Sequence, residues 1–166
     1  MQKARQPQQV DFEENCHSPR GMNANDPSYF GYWSKEEVSN FLKELLEGER
    51  TGVTAYAAIG RAADSPVAKL AFESELPQSA ICILLEKEIA ARAGAGMVRH
   101  KKLTATPSVE CNLRRTIAFA SRNQARLADM IEEAVLNIFD SRLNPKLIYL
   151  LLLHRKQVEY LETFCG

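Results

Sequence analysis

Between Val38 and Ile59 the chain places Val38, Leu42, Leu45, Glu49, Gly52, Tyr56 and Ile59 at alternating intervals of four and three. That spacing draws one stripe down a helix, the stripe turned toward other helices. Two more stretches repeat it: Leu113, Ile117, Ala120, Gln124, Leu127, Ile131, Ala134 and Ile138, then Leu147, Leu151, His154, Val158, Leu161 and Cys165. A shorter stripe runs through Gln78, Cys82, Leu85 and Ile89. Strand-type alternation is absent, as are Asn-Gly and Asp-Gly hairpin signals. The expected fold is therefore all-α, an antiparallel four-helix bundle with short connections and helices in up-down-up-down order. Each stripe contains one polar position: Glu49, Gln78, Gln124 and His154. An ionised side chain in an apolar stripe is costly unless it finds a partner. With helix directions alternating, Glu49, Gln124 and His154 are expected in one layer of the core.

The ends of the helices are written locally. Ser34-Lys-Glu-Glu37 is a capping box, with Trp33 and Val38 placed as a hydrophobic staple. Gly48 and Gly52 flank Glu49, and each costs about 1 kcal/mol relative to Ala inside a helix. Such a cost is accepted where a neighbouring helix comes close. Asp64-Ser65-Pro66 opens the second helix, and Pro77 predicts a kink or split near Leu76. Ala93-Gly-Ala-Gly96 ends it, and Arg99-His-Lys-Lys102 reads as a solvated basic connection. Thr106-Pro-Ser108 opens the third helix and Asn144-Pro145 the fourth. Residues 1–31, rich in Gln, Asn, Pro and Gly, read as a flexible tail that includes Cys16-His17, and residues 32–166 as the bundle.

Composition narrows the function classes. At 166 residues, 45% hydrophobic and 25% charged, the chain has enough material for one buried core. A formal net charge of +0 gives no overall field for nucleic acid or an anionic membrane. No apolar run reaches the ~20 residues of a membrane span, and the N-terminus lacks a signal-peptide core. Cys16, Cys82, Cys111 and Cys165 are scattered, without the spacing of a zinc site or a disulfide scaffold. The expectation is a cytoplasmic protein with no nucleic acid or membrane partner, and a homodimer is the assembly it allows. Arg114, Arg115, Arg122 and Arg126 on the outer side of the third helix offer a face for an acidic partner, but Asp129, Glu132 and Glu133 follow at once, and a solvated, salt-bridged face is the simpler expectation. No Ser-His-Asp or Cys-His dyad and no phosphate-binding glycine loop is present.

Three short motifs carry a family resemblance. Leu45-Leu-Glu-Gly-Glu49-Arg-Thr-Gly-Val53 resembles the first-helix signature of small ferritin-like proteins. Leu151-Leu-Leu-His154 resembles the end of their fourth helix. Arg122-Asn-Gln124-Ala-Arg126 is similar to the third helix of uncharacterised bacterial ferritin-like domains. The resemblance spans residues 34–164. Di-iron members of that superfamily use a Glu on the first and third helices and Glu-x-x-His on the second and fourth. Glu49 falls at the first carboxylate and His154 at the last histidine. Gln124 stands in place of the third-helix Glu, and Leu151 in place of the Glu before His154. The second helix offers Gln78 and Ile81, or Glu86 and Ile89 in a second register. The resemblance thus implies a degenerate metal site of Glu49, Gln124 and His154, with Gln78 a weaker fourth. Two iron ions need several carboxylates, so the expected occupant is at most one iron or manganese ion, and a metal-free hydrogen-bonded cluster is the simpler core. A non-enzymatic binding or stress-associated protein is expected. The alternative is a metal-dependent oxidase or hydroxylase using Glu49 and His154.

Overall fold

The structure is a computed structural model that describes residues 31–63, 65–93 and 113–164. It consists of helices α1 (Lys35–Ala62), α2 (Ser65–Ala93), α3 (Leu113–Asn137) and α4 (Asn144–Glu162). The all-α four-helix bundle expected from the stripes forms, with no strand among the described residues. The expected tail, its Cys16-His17 pair, the basic connection, the third-helix opening at Thr106-Pro-Ser108, Cys111 and Cys165 lie outside them.

Helix α1 starts where the capping box predicts. The Ser34 N–H donates to Glu37 Oε2 at 2.7 Å, and the Glu37 N–H donates to Ser34 Oγ at 3.2 Å. The Trp33 ring packs beside Phe41, with centroids 5.5 Å apart. The Trp33 N–H donates to the Asn137 carbonyl at 2.8 Å, which ties the start of α1 to the end of α3. Helix α2 is unbroken through Pro77, so of the expected kink or split no split occurs. Pro77 and Glu73, the residue whose carbonyl loses its partner, are both exposed. Water can therefore satisfy that carbonyl while the opposite, buried face holds the helix together.

The contacts fix helix directions. Along α1, Arg50 pairs with Glu86 and Gly60 faces Ala71, so α1 and α2 are antiparallel. Glu44 pairs with Arg126 and Trp33 with Asn137, so α1 and α3 are antiparallel too. Helix α4 runs back along α3, joined to it by the short turn at 138–143. The order is up-down-down-up rather than up-down-up-down. The α2–α3 connection, residues 94–112, lies outside the described residues and joins opposite ends of the bundle. Periodicity dictates which face of a helix packs; it carries no information about direction. Connection length does, and this connection is the long one.

The core has two apolar parts. The larger includes Leu42, Leu45, Leu85, Ile89, Leu127 and Leu147, and the smaller includes Tyr56, Ile59, Ala71, Ile117, Ala120 and Leu161. On all four helices the polar stripe residue falls between the two. In α4 the buried stripe is Leu147, Leu150, His154, Gln157 and Leu161, while Leu151 and Val158 are half-buried. The run Leu150-Leu-Leu-Leu153 contains no polar residue to set the phase, so the spacing alone admits both registers.

Candidate functional site

Helix α1 is approached closely on both sides of Glu49. A Cβ at Gly48 would lie 2.4 Å from Leu127 Cδ2, and one at Gly52 would lie 2.7 Å from both amide atoms of Gln78. The same point at Gly52 is 3.1 Å from Gln124 Nε2. Hydrogen in place of a side chain thus lets α3 and the Gln78 side chain of α2 press against α1. Asn123 Nδ2 donates to the Gly48 carbonyl at 3.0 Å and locks that approach.

Glu49, Gln78, Gln124 and His154 are each 0% exposed, so the layer is sealed from solvent. His154 Nε2 lies 2.8 Å from Glu49 Oε1, and His154 Nδ1 lies 2.5 Å from Gln124 Oε1. The three stripe residues expected to share a layer therefore form a continuous Glu–His–Gln chain across α1, α4 and α3. Gln78 faces the same layer across Gly52 but makes no hydrogen bond to the chain.

The donor inventory constrains the charge. A carboxamide oxygen only accepts, so Nδ1 carries a proton and donates to Gln124 Oε1. Nε2 then meets a carboxylate oxygen, itself an acceptor, and a cation must lie between them. A proton satisfies this, as an imidazolium–carboxylate pair or as a neutral pair with the proton on Glu49. The geometry also admits a metal ion: 2.8 Å is close to the ~3 Å spacing of neighbouring ligands on an ion with bonds of about 2.1 Å. The Nδ1–H to Gln124 bond is the kind of support that orients a metal-binding imidazole.

Several buried polar atoms in and next to the layer have no protein hydrogen-bond partner: Glu49 Oε2, both amide atoms of Gln78, Gln124 Nε2 and the Tyr56 hydroxyl. Burial raises the Tyr56 phenol well above its ordinary range; the nearby Ser74 hydroxyl opposes this and the Glu49 carboxylate adds to it. Tyr56 is thus a buried, neutral phenol that feels the Glu49 charge. Cys82 is buried, and burial with the Glu49 charge pushes its thiol up to about 11. It packs as a small hydrophobe, as its place in the stripe predicts.

Two metal ions do not fit this donor set. Glu49 is the single carboxylate, and Ile81 and Leu151 offer no lone pair. No group of three or more His, Cys, Asp or Glu is placed to hold a metal among the described residues. For a single ion the donors would be Glu49 and His154, with Gln78 Oε1 an unused oxygen facing Gly52.

Asn123 and Gln157 are buried polar residues that the stripes did not single out. Gln157 follows His154 by three positions, so a correct phase for α4 would have exposed it. Asn123 serves the α1–α3 approach and carries no periodic signal. On α3, Arg126 reaches Glu44 of α1, while Asp129 and Glu132 bind Arg155 of α4. No helix is long and apolar enough to cross a membrane among the described residues. The chain matches no protein-family model, no curated protein and no solved structure.

Proposed function

We propose that this protein is a ferritin-like bundle with a degenerate metal centre, acting as a non-enzymatic binding protein whose interior holds a single cation. The observation that carries this reading is the position of His154, held at Nδ1 by Gln124 and facing the Glu49 carboxylate through Nε2. The up-down-down-up order with one long crossover supports it, because ferritin-like bundles share that connectivity. With no metal present the cation is a proton. With manganese or ferrous ion, Glu49 and His154 would be the ligands and the Gln78 oxygen a weak addition, and the ion would supply positive charge to the buried carboxylate. The oxidase or hydroxylase reading draws less support, since none of the four residues reaches solvent and a substrate would have to part the helices.

The test is melting of the purified protein in the presence of manganese, ferrous iron or a chelator, together with calorimetry in buffers of different ionisation enthalpy. The expected result is a rise in melting temperature with one of the metals and release of about one proton per ion. Both effects should vanish in Glu49→Gln and in His154→Ala. A protein that takes up neither metal, and whose melting no metal shifts, would overturn the metal-centre reading and leave a purely structural polar layer.

A further inference from the structure

Helix α2 has two apolar faces. Its inner one, including Ala71, Ile81, Cys82, Leu85 and Ile89, is buried in the core. On the opposite face Phe72, Leu76 and Ile83 are 64%, 62% and 53% exposed. Surface helices normally turn charge outward; a helix apolar on both sides is one packed on both sides. Beside this face lies an apolar groove of about 600 Å³ between α2 and α4. Exposed Tyr149 and Leu152 continue the apolar surface onto α4.

The outer face carries its own stripe at helical spacing: Glu73, Leu76, Ala80, Ile83 and Lys87. It is close to symmetric about its middle, with charges of opposite sign at equal distances. Ala80 is the small centre, Leu76 and Ile83 flank it, and Glu73 and Lys87 lie seven residues to either side. We propose that this face is covered by a second copy of the chain, α2 packing antiparallel on α2 about a two-fold axis near Ala80. A two-fold contact requires a surface complementary to itself. Crossing at Ala80 sets Glu73 against the partner's Lys87, and symmetry makes the pair twice. Crossing in parallel would instead set like charge on like. Ser79 and Ala80 leave room at the crossing for close approach of the two helices. The charges are available for this role. Lys87 has no ion pair among the described residues, and Glu73 has only a 3.8 Å contact with Lys69, between side chains 59% and 76% exposed.

Sedimentation velocity of the full chain across a wide range of concentrations tests the proposal. The expected result is a reversible dimer. Ile83→Glu should yield a monomer with unchanged helical circular dichroism, since Ile83 packs nothing in the core. Glu73→Lys and Lys87→Glu should each weaken the dimer at least ~10-fold by opposing like charges. Combining the two reversals should restore it, and that rescue is specific to the antiparallel register. A wild-type protein that stays monomeric at every concentration would overturn the proposal. So would a dimer indifferent to Ile83→Glu, or a double reversal no stronger than either single one.

Discussion

Glu49 and His154 each make the other tolerable. The Glu49 carboxyl is wholly buried, and its nearest cationic or protic group is the imidazole 2.8 Å away. Removing one member of such a pair strands the other in an apolar layer, at a typical cost of ~3–5 kcal/mol. Replacing both by apolar groups of similar volume removes the desolvation problem along with the attraction. Glu49→Leu and His154→Phe should therefore each be strongly destabilising, and the double variant should lose far less than the two together. Urea unfolding of wild type, singles and double measures this. Simply additive losses would show that the two side chains do not depend on each other. Gln124 enters the same balance, because its oxygen takes the Nδ1 proton and so decides which nitrogen faces Glu49.

Neighbours come close to α1 at two interior glycines, which differ in what they meet. At Gly48 the obstacle is Leu127, a branched side chain that is 0% exposed and enclosed in the core. Gly48→Ala gains about 1 kcal/mol of helix propensity. It also forces α1 and α3 apart, and overpacking of this kind costs ~1–3 kcal/mol. At Gly52 the obstacle is the end of the Gln78 side chain, which no hydrogen bond restrains. Gly52→Ala should thus cost less than Gly48→Ala, with Gln78 turning aside and Gln124 Nε2, 3.1 Å away, giving by a few tenths of an ångström. Denaturant midpoints with unchanged m-values check the ranking. A stabilised Gly48→Ala variant would mean that α3 does not need the gap.

At the scale of the molecule, one end of the bundle is fastened by charges. Arg92 at the end of α2 reaches Asp140 at 2.6 Å and Glu88 at 3.0 Å, and Lys146 of α4 reaches Glu88 at 2.9 Å. Asp140 also accepts the N–H groups of Arg142 and Leu143, which shapes the turn into α4. Lys146 and Arg92 hold the Glu88 carboxyl below its ordinary 4.5. Arg92 and the two backbone donors hold Asp140 below 3.8. Because both folded values are lowered, the stabilisation is complete above the ordinary carboxylate values and is lost as the pH falls below them. Thermal unfolding at a series of pH values should show this acid loss. Arg92→Ala should cost about 1 kcal/mol near neutrality and flatten the acid dependence. An unchanged profile would mean that the network does not clamp α2 to α4.

The sequence by itself determined the helices, because capping and apolar spacing are local properties: the box at Ser34 and Glu37 and the stripes through Leu42, Leu127 and Leu147 need no tertiary context to be read. It also marked Glu49, Gln124 and His154 as the polar positions of their stripes, while packing decided that these three join and that Gln78, equally marked, hydrogen-bonds to none of them. Tertiary structure decided what periodicity does not encode. Helix direction depends on how the chain returns between α2 and α3, so the order up-down-down-up was not written in any stripe. The phase of α4 was settled by packing, which buried Leu150 and Gln157 where the leucine run left two choices. Pro77 sits in an unbroken helix because it and Glu73, whose carbonyl it orphans, lie on the side turned away from the core. The tertiary structure also decided the chemistry at the centre. Only the distances from His154 to Glu49 and Gln124 show that both imidazole nitrogens face acceptors, and that a cation must lie between Nε2 and the carboxylate.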